Sequence, residues 1–343
     1  MSCIVLSILG WLLLSSAVLA QDVFLTLSKN FQLADGAGKQ LIFFASVPHP
    51  FGSKRQQELA KWLLHESKEF SGDARLQSFE AETPNPKNFP ELVKGQPITI
   101  KRQGSNVLAS ISLAKSPKCY VILGSHYDSK YLKGSLSLGA NDSGSTSILL
   151  LHIGKYLKTH KKHFSHYQCD LLLVWFDGEE AVLPEWSDGE KRYIKKIKDN
   201  TYGSRHFTSN MQTCGTFKCF TYSKKYGPLP VRYMILLDML GSKNITISDD
   251  LNSSPQLRKL LRVSAKLLGE SNIIAKYARS ILDDHIPFLQ SGIPSLNIID
   301  FENLHFWHKP TDTHTHVHLP SLSRAGRLAI QTLLPLLSKP QDF

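Results

Sequence analysis

The stretch LLLVWFDGEEA, residues 171–181, changes character halfway. An apolar run from Leu171 to Phe176 leads directly into Asp177, Glu179 and Glu180. An apolar run without alternation fits a strand covered on both faces, as in the parallel sheet of an α/β domain. Its last residues then place two adjacent carboxylates at the mouth of the core, where charge is costly unless something neutralises it.

Three further runs share this character: CYVILG (119–124), YMILLD (233–238) and SLNII (295–299). Helix-like segments at 144–158, 203–211, 255–269 and 321–337 alternate with them. Strand-helix alternation predicts an α/β fold with a mixed, largely parallel central sheet flanked by helices on both faces. Upstream, Leu59, Trp62, Leu63 and Phe70 recur at helical spacing behind Ser53, which predicts a helix over 53–70, and short alternating runs over 76–113 predict a hairpin or meander. No linker or repeat divides residues 21–343, which are expected to form one domain. Long connections at 127–139, 182–202 and 300–319 fall at strand ends, where open α/β sheets bind ligands.

The 343 residues are 42% hydrophobic and 20% charged, ordinary for a globular chain. Residues 1–20 carry no charge, contain the apolar run Ile8–Leu14 and end in Val18-Leu19-Ala20, which reads as a cleaved secretory signal in preference to a membrane anchor. The expected product is an exported protein starting near Gln21, with no stable membrane span and a monomer favoured. The net charge of +11 comes from short scattered lysine clusters without interleaved aromatics. They read as a solvated basic surface and exclude nucleic acid as a partner. Cys3 leaves with the signal. Cys214 and Cys219 could pair locally, and Cys119 and Cys169, each opening a strand, could be neighbours across a sheet or buried thiols.

The strand ends carry the chemistry. The first run leads into His126-Tyr127-Asp128, and the next loop ends in GANDSG with Asp142. Asp177, Glu179 and Glu180 close the second strand, and Asp238 closes the third. Asp283-Asp284-His285 follows later, and Trp307-His308 comes after the last strand. Histidine with Asp and Glu is a ligand set for zinc. Of two adjacent glutamates, one can hold a metal while the other moves protons.

HYDS, GANDSGS, FDGEEA, YGSRH, LLDMLG, DDHIPF, GIPSLNII and FWH resemble, in order, the motifs of glutaminyl cyclases (glutaminyl-peptide cyclotransferases), within the zinc aminopeptidase-like fold group. The resemblance runs from about residue 45 to about residue 340. It implies conversion of the N-terminal glutamine of peptides or proteins to pyroglutamate, with loss of ammonia. It further implies one zinc ion on Asp142, Glu180 and His308, with Glu179 as general acid/base. Asp238 and Asp283 would form an acidic pair behind Glu179, and Trp186 and Trp307 would line the substrate pocket. An exported aminopeptidase on the same scaffold is the alternative. It would hold two ions, adding His126 and Asp238 as ligands. A catalytically inactive binding ectodomain is a third reading, opposed by the intact Asp142, Glu179, Glu180 and His308.

Asp283 and Trp307 favour the cyclase over the hydrolases of the group, which commonly carry a small hydroxyl residue before Asp-His. The chain also departs from the cyclase pattern. Asn297 follows GIPSL where animal members have a histidine, the stretch after DGEEA is extended, and the animal enzymes' disulfide would need cysteines at Ser125 and near Ser147. His314, His316 and His318 in THTHVH read as incidental surface histidines. Of the sequons at Asn141, Asn244 and Asn252, the first adjoins a proposed ligand, leaving the other two as candidates.

Overall fold

The computed structural model describes residues 22–89, 91–164, 167–188 and 197–338. The expected signal segment and most of the extension after Trp186 lie outside the described residues.

The four apolar runs form the centre of one eight-stranded sheet. Strand β3 (Cys119–His126) pairs in parallel with β4 (Cys169–Phe176) on one side and with β7 (Leu229–Asp238) on the other, and β10 (Ser295–Ile299) pairs in parallel with β7. The flanks are antiparallel: β1 (Arg75–Pro84) and β2 (Thr99–Ile111) form the expected hairpin against β4, and β5 (Gln212–Cys214) and β6 (Phe217–Phe220) close the other side. A separate two-stranded parallel pair, β8 (Ile247–Asp250) with β9 (Ile274–Arg279), lies outside this sheet.

Both faces of the central strands are buried, and their side chains alternate between two apolar layers. Val121, Leu123, Leu171, Leu173 and Trp175 enter one core, while Tyr120, Ile122, Leu172, Val174 and Phe176 enter another that includes Phe207 and Phe288. The first core is covered by helices. They are residues 22–29 (α1), α2 (Ala37–Phe44), α3 (Lys54–Ser67), α4 (Thr146–Thr159), α6 (Pro255–Leu267) and α8 (Leu319–Ser338). The second is covered by α5 (Tyr202–Ser209) and α7 (His285–Gln290). The Ser53 hydroxyl accepts from the Gln56 N–H and starts α3 where the sequence places it.

Cys119 and Cys169 face each other in the β3–β4 register and are disulfide-bonded, whereas Cys214 and Cys219 are unpaired. Parallel pairing brings the carboxyl ends of β3, β4, β7 and β10 to one edge, so His126, Phe176, Asp238 and Ile299 end their strands on the same rim, with Asp177 directly after Phe176.

Candidate active site

Gly178 turns the chain out of β4 with φ +66°, a region other residues rarely adopt. The turn is then held from outside. The carbonyls of Asp177, Gly178 and Glu179 accept the N–H groups of Gly203, Tyr202 and Thr201 at 2.7 to 2.9 Å. A Cβ on Gly203 would meet the Asp177 carbonyl at 2.4 Å, so the glycine of YGSRH is required by DGEE, far away in sequence. Thr201, Met239 and His308 are the non-glycine residues with positive φ among the described residues. Met239 and His308 line the candidate cavity, and Thr201 bonds Glu179; conformations of this kind concentrate at functional sites.

That cavity, about 260 Å³, is lined by Asp142, Glu179, Glu180, Trp186, Asp238, Asp283, Trp307 and His308. Eight of the nine residues to which the resemblance assigns a role therefore share one space. The ninth, His126, is fully buried, with Nε2 at 3.0 Å from Asp142 Oδ1 and 3.3 Å from Asp238 Oδ1. Ile281, Ile299 and Phe301 complete the apolar walls, and Trp307 packs edge-on against Phe301.

Two overlapping groups have the chemistry of metal ligands: Asp142, Glu180 and His308, and His126, Asp142 and Asp238. In the first, His308 Nε2 stands 3.1 Å from Glu180 Oε1 and 3.7 Å from Asp142 Oδ2. Three ligands about 2.1 Å from one tetrahedral ion lie about 3.4 Å apart, so this spacing fits a shared cation. The buried Glu180 carboxylate faces His308 at 3.1 Å and the Lys130 ammonium at 3.6 Å, surroundings that keep it ionised as a ligand must be. The alternating histidines form no comparable group among the described residues. His316 stacks on Phe306 and His318 bonds Ser321.

The carboxylates differ in proton affinity. Burial, with the charges of Asp283 and Glu180, holds Glu179 well above the usual carboxylate range. Burial and the neighbouring Asp238 push Asp283 up to about 7. Asp238 rises to about 6, again by burial, with His126 opposing the rise. At Glu180 burial is outweighed by His308 and Lys130, leaving it at about 2. Two adjacent glutamates thus sit in opposite protonation regimes, the pattern that separates a proton carrier from a permanent anion.

Several supporting residues were given no role by the sequence reading, although Asp128 and Asn297 stood out in it. Asp128 accepts the N–H groups of both Glu179 and Glu180, at 3.0 and 3.2 Å. Asp312 does the same for Asn141 and Asp142, at 2.7 and 3.1 Å, and Asp199 for Val182 and Leu183, at 3.1 and 2.8 Å. The buried ammonium of Lys130 donates to the carbonyls of Ala181 and Leu183 and lies 3.6 Å from Glu180. Asn297 donates to Asp283 at 2.9 Å. The sequons also separate: Asn141 is buried against the Gly241 N–H, Asn252 donates to the Ile281 carbonyl, and Asn244 is exposed.

The model of peptidase family M28 matches residues 106–333. The chain belongs to this family. Within the range of the M28 fold, the glutaminyl-peptide cyclotransferase of Drosophila melanogaster is 25% identical over 306 residues, spanning 83% of this chain and 75% of that protein. The crystal structure of an Acidobacteriales bacterium glutaminyl cyclase superposes with a TM-score of 0.68 at 25% identity, covering 88% of this chain and 94% of the other. A leucine aminopeptidase precursor from Bacteroides thetaiotaomicron reaches the same TM-score of 0.68 at 18% identity, covering 88% and 97%. The resemblance to glutaminyl cyclases and the zinc exopeptidase-like fold class are both borne out. The M28 fold by itself serves two reactions, so the choice between them rests on the site.

Proposed function

We propose that this chain is a zinc-dependent glutaminyl-peptide cyclotransferase, converting the N-terminal glutamine of peptides and proteins to pyroglutamate. The observation that carries the reading is Asp283 in the same cavity as Glu179, each with raised proton affinity, beside a trio with the chemistry and spacing of metal ligands.

In this reaction the α-amine of the substrate forms a bond to its own γ-carbonyl carbon, the bond to the γ-nitrogen breaks, and ammonia leaves. No water is consumed and no protein nucleophile is needed. Asp142, Glu180 and His308 would hold the zinc ion. Bound there, zinc supplies a Lewis acid for the γ-carbonyl oxygen. Glu179 accepts the proton from the attacking amine and returns it to the departing nitrogen, a task suited to a carboxylate with raised proton affinity. Asp283 raises that affinity by charge and is itself raised by Asp238, and Trp186 and Trp307 wall the glutamine side chain from water. The similarity to proteins named glutaminyl-peptide cyclotransferase supports the same reading.

The second group, His126, Asp142 and Asp238, keeps an aminopeptidase as the alternative. In that reading the two groups, which share Asp142, would hold two ions. Export through a signal at residues 1–20 is part of the proposal. The Cys119–Cys169 disulfide supports an oxidising compartment, and no described helix is long and apolar enough to cross a membrane. The deciding experiment incubates Gln-initiated and Leu-initiated peptides with the protein, with and without a zinc chelator. Chelator-sensitive loss of ammonia from the first alone is expected by mass spectrometry. Release of free leucine from the second would make the chain an aminopeptidase.

A further inference from the structure

Behind the cavity wall, Asp250, Asn252 and Ser253 at the end of β8 form a bracket in which Asp250 and Ser253 are buried and none of the three lines the cavity itself. The carboxylate of Asp250 accepts from the N–H groups of Ile281 and Asn252, each at 3.0 Å through Oδ1. Its Oδ2 accepts from the Ser253 hydroxyl at 2.7 Å and lies 3.0 Å from His285 Nε2. Asn252 Nδ2 donates to the Ile281 carbonyl at 2.7 Å, so both backbone groups of Ile281, a cavity wall residue, are gripped by the bracket. The other arm runs through Ser253, whose hydroxyl oxygen accepts the Asn297 N–H at 2.9 Å. The Asn297 amide in turn bonds Asp283 Oδ2, also at 2.9 Å.

We infer that Ser253 and Asp250 are positioning residues for Asp283, acting through Asn297 on one side and Ile281 on the other. The inference rests on the cyclase reading for what Asp283 does, and on geometry alone for how it is held. Asp250, Ser253, Asn297 and Asp283 are each no more than 2% exposed, so water does not replace a lost partner. Asp283 Oδ1 takes the Asp284 N–H, and Oδ2 takes Asn297. Freeing Asn297 therefore frees one of the two bonds that orient the carboxylate. Reactions that depend on a fixed proton carrier lose rate steeply with small displacements.

The test compares wild type, Ser253→Ala, Asn297→Ala and the double variant in the full zinc-loaded chain. Each is assayed with Gln-initiated and Leu-initiated peptides, and zinc content is measured alongside. Ser253→Ala is expected to lower kcat on the order of tenfold with KM and zinc content unchanged. The double variant should fall little below Asn297→Ala, because both act on one carboxylate. Wild-type kcat in Ser253→Ala, a fall that tracks lost zinc, or losses that multiply in the double variant would each overturn the inference. If the wild type releases leucine instead of ammonia, the cyclase reading fails while the same kcat ratios still decide this one.

Discussion

Asn297 Nδ2 donates to Asp283 Oδ2 at 2.9 Å, in the position where the cyclase motif has a histidine. A neutral amide thus supplies the hydrogen bond that a ring N–H would supply, and the departure seen in the sequence keeps the contact to the acidic residue.

Replacing Asn297 with histidine is therefore expected to leave kcat/KM within about threefold of wild type. Asn297→Leu removes the donor from a buried carboxylate and should lower it by about 10- to 100-fold, the equivalent of one lost charge-assisted bond. Steady-state kinetics on a Gln-initiated peptide checks both. A histidine variant as impaired as the leucine variant would mean that the site requires the amide's shape and not its hydrogen bond.

Glu179→Gln keeps the side chain's size and its place in the cavity but removes the exchangeable proton site. Turnover should fall by at least about 100-fold, while bound zinc stays near one ion per chain, measured by metal analysis after dialysis. Loss of the ion along with activity would reassign Glu179 as a ligand.

Asp312 holds two successive N–H groups at Asn141 and Asp142, and so fixes the backbone that carries a proposed ligand. Asparagine at this position can accept only one of them and turns a donor toward the other. Zinc affinity, measured by competition with a chromogenic chelator, should drop about 10- to 100-fold in Asp312→Asn, with kcat of the zinc-saturated protein largely retained. Unchanged affinity would show that this segment is held by its remaining contacts.

The contrast between these residues and the cavity residues explains what could be read from the sequence. The central strands were legible because burial on both faces writes an uninterrupted apolar run, as in 171–176, and the cavity residues because charge at the end of such a run is conspicuous. Asp312 carries no such mark. Its partner Asn141 is 171 positions away, and a carboxylate that clamps distant backbone looks like any loop aspartate. Strand β8 was equally silent: ISDD is half acidic, yet all four residues are buried. Asp249 is neutralised by Arg258 and Arg262, and Asp250 by the bracket of hydrogen bonds. Cys119 and Cys169 remained open for a related reason. Only the register of β3 against β4 sets them side by side.

His152 gives the fold a pH dependence that is independent of the metal site. Its Nδ1 accepts the Ala34 N–H at 3.2 Å and its Nε2 bonds Gln40 Oε1 at 2.8 Å, an arrangement that suits the neutral ring. Burial, reinforced by Lys155, lowers its pKa to about 4 from an ordinary 6.5. Between those values the unfolded chain binds the proton and the folded chain does not, so this contribution is complete above pH 6.5 and is lost as the pH falls toward 4. At about pH 4.5 it should cost on the order of 2 kcal/mol. Urea titrations should show His152→Gln losing less stability than wild type between pH 7 and about 4.5, by about that amount, whatever the offset between the two proteins at neutral pH. Parallel pH profiles for the two proteins would mean that His152 takes up its proton without disturbing the contacts to Ala34 and Gln40.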